Sequence, residues 1–360
     1  MENTYMHNPY RALPARQFWT PSVAMPARGM VDPVSRSRRI LPHERIVSFG
    51  SCFAQHISQH LVARGLNYHM TESAPPGMDA ALATARQYGL FSARYGNVYT
   101  PAQAEQLFDR AFGHFAPNDD PYWEKDGRWY DAFRPTVEPG GFADVATLLT
   151  DQKRHLTAVR ALFEQADFFV FTLGLTEAWR NRRDGAVYPV APGVVAGSFD
   201  SARHEFVNFS IDEVRASLFA LIEKTRALNP RACFILTVSP VPLIATYEAR
   251  SVLSATAYSK AVLRVAADEA ERRYDEVYYF PAYEIVTSPA AGDRYWAPDL
   301  RSVRPEGVAH VMRAFDRHFV DAPAALPATR RPADVGCDDA ATRPVCDEEV
   351  IVASLKRHED

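Results

Sequence analysis

The chain has 360 residues, 47% of them hydrophobic and 23% charged, with a net charge of −4. Such a composition suits an ordinary globular chain long enough for one sizeable core or two. The slight acidity argues against a nucleic-acid binder, which would carry a basic face. A polar N-terminus and the lack of a long apolar run give no sign of a signal peptide or a membrane span. Four cysteines (Cys52, Cys233, Cys337 and Cys346), with no CxxC pair and no tight His/Cys cluster, suggest neither a disulfide framework nor zinc. A reducing, cytoplasmic setting is expected.

Residues 1–44, rich in Pro, Arg and Met, read as an arm wrapping the domain, with Pro9-Tyr10 and Phe18-Trp19 as its anchors. Arg45 to His56 then spells a short buried strand, a sharp turn at Gly50 and a helix whose first turn carries Ser51 and Cys52. Ile46 and Val47 are β-branched, and Phe53, Ala54, Ile57, Leu61 and Val62 recur at helical spacing. A nucleophile at such a turn faces the carboxyl edge of a sheet, where α/β proteins bind ligands. The helix N-terminus there favours a thiolate. Gly65 ends that helix, and Leu66–Met70 suggests a second strand.

Residues 71–140 read as an insertion after this first βα unit. It holds a helix over Ala80–Tyr88, another opened by Thr100-Pro101, and a hairpin turning at Asp126-Gly127. The hairpin aromatics, Tyr122, Trp123, Trp129 and Tyr130, suit a sugar platform or, alternatively, a seal of the insertion onto the core. Beyond it come a helix over Phe142–Gln165, a strand over Phe168–Leu173, a helix opened by the capping box Ser210–Glu213, and a strand over Phe234–Val238. A helix over Ala255–Tyr274, a strand over Val277–Phe280 and a helix over Pro305–Val320 complete the pattern. The strands are unalternated apolar runs, as strands covered on both faces are. Alternating strands and helices imply a mostly parallel sheet with helices on both sides. The domain spans residues 45–322, and residues 323–360 read as a tail without fixed structure.

Phe49-Gly50-Ser51-Cys52-Phe53-Ala54 matches the signature of the GSCFA family, within the wider SGNH/GDSL hydrolase group. Asn8–Arg11, Phe91–Asn97, Thr172–Trp179, Ser239–Leu243 and Tyr279–Glu284 also resemble family blocks. The resemblance implies a three-layer α/β/α fold. It also implies acyl chemistry, as an esterase or an O-acyltransferase acting on a bacterial glycan or its precursor. No bound cofactor is implied, although acyl-CoA is a possible co-substrate.

In the wider group the first block is Gly-Asp-Ser. Laying Gly50 on its glycine makes Cys52 the implied nucleophile, with Ser51 as runner-up; the alternative is a small buried thiol packing the corner. The second block, Gly-x-Asn-Asp, corresponds to Gly174-Leu175-Thr176-Glu177, so Thr176 replaces an amide donor. Backbone N–H groups of Ser51, Cys52 or Gly174 are left to hold an oxyanion, with Asn97 a substitute donor unless it is only a turn residue. The last block, Asp-x-x-His, corresponds to Asp299-Leu300-Arg301-Ser302, and Ser302 stands where the base should be.

A thiolate needing less help, His56 one turn after Cys52, or a distant histidine (His69, His155 or His204) are the available remedies. His56 and His60 equally suit the polar face of their helix. Glu177 suits orienting a base or binding a sugar hydroxyl. Lys260 and Arg264 share a helix face that suits an anion or plain solvent. Ser239, at a strand end before Pro240 and Pro242, should line the crevice. A non-catalytic module binding a glycan or nucleotide sugar is the rival function.

Overall fold

A computed structural model describes residues 8–321, 347 and 349–356. The first half contains β1 (Ile46–Gly50), α1 (Ala54–Ala63), α2 (Ala80–Ala85), α3 (Pro101–Phe112), β2 (Tyr122–Lys125), β3 (Arg128–Asp131) and α4 (Val145–Gln165). There follow β4 (Phe168–Leu173), β5 (Glu177–Asn181), β6 (Val187–Tyr188), β7 (His204–Asn208), α5 (Ile211–Leu228), β8 (Cys233–Val238) and α6 (Val252–Arg273). The last elements are β9 (Val277–Tyr279), α7 (Ala282–Thr287), α8 (Pro305–Phe319) and α9 (Glu349–Lys356).

Strands β1, β4, β8 and β9 pair in that order, all parallel, into the central sheet. Successive side chains on a strand point to opposite faces, and here both faces are apolar. Val47, Phe49, Phe169, Phe171, Phe234 and Leu236 pack against Phe108, Phe163, Leu221 and Leu263 of α3 to α6. Ile46, Phe168, Val170 and Ile235 pack on the other side against Phe53, which caps α1, and against Ile57, Ile285 and Phe315 of α1, α7 and α8. Each large side chain so buried contributes about 1.5–3 kcal/mol. The expected α/β architecture is therefore the one observed.

Local chemistry accounts for the element ends. Thr100 and Gln103 form a reciprocal capping box with Pro101 in the first turn of α3, and Ser210 and Glu213 do the same for α5. Asp126 and Gly127 both take positive φ between β2 and β3, as a two-residue hairpin turn demands.

Several expectations change. Leu66–Met70 is no strand; it makes a single bridge, Tyr68 to Ile46. Trp123 is 2% exposed and packs with Tyr188, so the hairpin seals the insertion rather than offering a platform. His204–Asn208 is β7, and it forms with β5 and β6 a small antiparallel sheet that the sequence pattern did not reveal. The arm is not anchored by Tyr10 or Trp19, which are exposed. Val31, Val34 and Ile40 are buried instead, Asp32 binds Arg317 and His318, and Arg36 donates to the carbonyls of Glu271 and Val277. Near the C-terminus Asp347 is buried and Glu349–Lys356 is helical, against the expectation of an unstructured tail there. Cys337 and Cys346 lie outside the described residues.

Candidate functional site

The turn after β1 is dictated by Gly50. Its φ is +141°, and a Cβ there would lie 2.4 Å from the Thr172 carbonyl oxygen. Only glycine lets β1 run this close to β4 at its carboxyl end. Ser51 N–H then donates to Thr172 O at 3.1 Å, and Ala54 N–H to Ser51 O at 2.8 Å, which throws Ser51 and Cys52 into a tight turn just ahead of α1.

Cys52 is 6% exposed and forms no disulfide with another described residue. Ser51, Cys52, Tyr99, Gly174 and Leu175 line a cavity of about 10 Å³ at the carboxyl ends of β1, β4 and β8. Ser239, Val241, Pro242, Leu243 and Lys260 complete its lining. This volume is about what one water needs. Ser51, Cys52, Gly174 and Ser239 thus meet at this crevice, whereas Gly50 shapes the turn without lining it. The Ser51 hydroxyl is buried and has no hydrogen-bond partner among the described residues. Ser239 Oγ accepts from Val241 N–H at 3.3 Å and keeps its own proton to donate.

Other candidates are brought to different work. Gly174 N–H donates to Tyr99 O at 2.9 Å, so this amide and that of Ser51 are spent within the fold rather than held for an oxyanion. Thr176 turns its hydroxyl to Asn208 Oδ1 at 2.6 Å, and its N–H donates to Ser259 Oγ at 2.9 Å; it does not line the cavity. Asn97 is likewise no cavity donor, since Nδ2 donates to Asp347 Oδ2 at 3.0 Å and Oδ1 accepts from Gln55 at 3.3 Å. Glu177 sits at the start of β5, where Thr246 donates to it at 2.7 Å and burial pushes its pKa up.

Asp299 and Ser302 bind each other. Ser302 Oγ donates to Asp299 Oδ2 at 2.6 Å, and the N–H groups of Arg301 and Ser302 both reach Asp299 Oδ1. Although partial burial raises its pKa, these hydrogen bonds outweigh it and leave the net shift downward. The pair therefore closes an exposed turn and is no acid–base couple. Between them, Arg301 donates from Nε to Pro242 O at 3.2 Å, which ties this turn to the cavity wall.

No histidine among the described residues lines the cavity. His56 packs edge-on against Phe53, and burial lowers its pKa to about 4, so it is neutral near pH 7 but not placed to act as base. His60 bonds Asp316, His69 bonds Gln165, His155 bonds Glu72 and His204 bonds Asp120.

Lys260 was readable only as half of a charged helix face. It is 2% exposed, and Nζ donates to the Gly174 carbonyl at 2.5 Å. Arg264, its expected companion, is directed elsewhere, to Glu284 and Asp268 and over the Tyr279 ring. Tyr99 and Arg301 carry no sequence pattern of their own. A further group had no sequence signal: Trp179, Phe206 and Tyr247 meet with ring centroids 4.9–5.9 Å apart, and Tyr247 is 66% exposed. Tyr247 lies on the loop that leaves the cavity wall at Leu243. No set of residues suited to a metal ion occurs among the described residues, and no described helix is long and apolar enough to cross a membrane.

Comparison with known proteins places these observations. No curated protein matches the sequence. Among solved structures, a carbohydrate esterase family 3 protein from Talaromyces cellulolyticus is 13% identical, covering 76% of this chain and 95% of that one, with a TM-score of 0.33. A mutant acetyl esterase solved with acetate ion is also 13% identical, with the same coverage and a TM-score of 0.32. Likenesses this distant do not bear on the reaction. The GSCFA family model, by contrast, matches residues 45–315, and the chain belongs to the GSCFA family.

Proposed function

We propose that this protein is an acyl-handling enzyme, an esterase or an O-acyltransferase, that works through Cys52 on a glycan or glycan precursor. The observation that carries the reading is the placing of the Cys52 thiol on the glycine-enforced turn between β1 and α1, in the wall of a cavity at the carboxyl edge of a parallel sheet. The thiolate would attack the ester or thioester carbonyl, and the Ser239 hydroxyl would donate to the oxyanion. Cys52 is preferred to Ser51 because a serine needs a base on its hydroxyl, and the Ser51 hydroxyl has no such partner among the described residues. A cysteine favours transfer, since a thioester passes its acyl group to a hydroxyl downhill; acyl-CoA is the donor class this implies. Support for a glycan comes from the exposed Tyr247 beside Trp179, with the Glu177 carboxylate two residues away on β5.

The test is intact-mass spectrometry after incubation with an activated acetyl ester and, separately, with acetyl-CoA. An acetyl adduct that maps to Cys52 and disappears in Cys52→Ala but not in Ser51→Ala is expected. Full turnover by Cys52→Ala would sink the mechanism. A binding module for a glycan or nucleotide sugar is the second reading, favoured by the Asp299–Ser302 turn, which leaves no acid–histidine pair at the crevice among the described residues. It predicts no adduct, slow alkylation of Cys52, and saturable ligand binding that survives Cys52→Ala.

A further inference from the structure

We propose that Lys260 does for Cys52 what a histidine does in a triad: it holds the thiol proton as an ammonium, and so keeps the sulfur as a thiolate. This rests on the acyl-transfer reading of Cys52. Three observations lead to it. Cys52 and Lys260 line the same small cavity, and Gly174, whose carbonyl Lys260 Nζ binds, lies against Ser51, the neighbour of Cys52. Lys260 is 2% exposed, and a buried lysine releases its proton far more readily than an exposed one. Its place is also enforced. Ser259 and Lys260, consecutive on α6, clamp the chain just after β4, Ser259 through Thr176 N–H and Lys260 through Gly174 O.

Protons balance through the cycle. In the resting pair the sulfur is S⁻ and the amine NH₃⁺. Sulfur attacks the acyl carbon; the S–C bond forms and the C–O bond to the alcohol breaks. Lys260 gives its proton to the departing alkoxide and becomes NH₂. Water, or an acceptor hydroxyl, then gives its proton to that amine and attacks the thioester carbon. The C–S bond breaks, and thiolate and ammonium are restored. Among the described residues, other ionisable or charged groups around this corner include His56 on α1, neutral near pH 7, Tyr99 before α3, Arg301 paired at 3.9 Å with Glu349, and Asp347 behind Asn97. They are the same in every variant below.

The experiment measures the alkylation rate of Cys52 by iodoacetamide against pH, read by peptide mapping, in wild type, Lys260→Met and Lys260→Arg. Deacylation after a pulse of activated acetyl ester is followed on the same proteins by intact mass. The wild-type midpoint should fall below the ~8.5 of an ordinary thiol. Lys260→Met should raise it by about one pH unit or more, slowing alkylation near pH 7 about ten-fold. Lys260→Arg should keep the low midpoint, since the charge remains, yet slow deacylation more than ten-fold, since a guanidinium does not give up its proton.

A wild-type midpoint at or above 8.5 overturns the proposal with no variant needed. So does a Lys260→Met protein that melts like wild type and keeps the wild-type midpoint, or a Lys260→Arg protein that deacylates at the wild-type rate. If wild type shows a low, Lys260-dependent midpoint but no acyl adduct, the acyl reading fails while the Cys52–Lys260 pairing stands.

Discussion

Gly50→Ala tests whether the turn that presents Cys52 is set by backbone contact rather than by side-chain packing. A Cβ at position 50 would lie 2.4, 2.8 and 2.9 Å from the O, N and C atoms of Thr172. These are backbone atoms of the paired strand β4 and cannot rotate away as a flexible side chain would. Holding a non-glycine residue at φ +141° costs about 1–3 kcal/mol. Forcing a methyl into a packed site costs about another 1–3 kcal/mol. Together that is about 2–6 kcal/mol, a large share of a typical stability of about 5–15 kcal/mol. With an unfolding entropy of about 2.1 cal/mol/K per residue over roughly 300 ordered residues, the melting temperature should fall by about 3–10 °C. Urea unfolding and calorimetry measure the loss, and iodoacetamide labelling of Cys52 in the folded variant reports whether the turn has moved. An alanine variant that melts within about 1 °C of wild type and labels at the same rate would refute the reasoning.

Further outcomes follow from the same contacts. His56 has a folded pKa near 4, below the ordinary value of 6.5, so the unfolded chain binds more protons between those values. His56 stability is complete above pH 6.5 and is lost as pH falls toward 4, by about 2–3 kcal/mol at pH 4.5. His56→Leu should flatten that part of the stability profile, and urea titrations at pH 7 and 4.5 with an unchanged difference would contradict it. Arg134 binds Asp131 at 2.8 Å and Asp151 at 2.6 Å, with the Arg134 and Asp131 side chains almost fully buried. Arg134→Met should cost about 3–5 kcal/mol by leaving the Asp131 charge unneutralised; a loss under about 1 kcal/mol in urea unfolding would show that the pair is dispensable. Because Asp299 and Ser302 only close a turn, Asp299→Ala and Ser302→Ala should acylate Cys52 within about two-fold of wild type, whereas a loss above ten-fold, in the range of general acid–base effects, would return them to the machinery.

Much of this protein is decided within short stretches of its sequence. Ile46 to Gly50 must be a strand that ends in a turn, because β-branched residues precede a glycine that takes a backbone angle closed to other residues. Thr100 with Gln103 and Ser210 with Glu213 open their helices wherever those helices pack, since a capping box needs only residues three apart. Asp126-Gly127 turns its hairpin for an equally local reason. The unalternated run Phe168–Leu173 already requires cover on both faces of its sheet. These local rules sufficed for the fold class and for the position of Cys52.

What they could not decide is which polar groups meet at the cavity. A lysine on a helix reads as solvent-facing until the helix is seen against the strand end that buries it, and Lys260 is such a residue. Asn97 and Thr176 look like oxyanion donors in one dimension, yet Asp347 and Asn208, distant in sequence, claim them. Lys260 reaches the cavity from α6, a helix that no local motif connects to Cys52. The physical reason is range. Turns, caps and periodicity depend on neighbours a few residues apart, whereas burial and hydrogen-bond partnership of a side chain depend on what the completed fold packs against it.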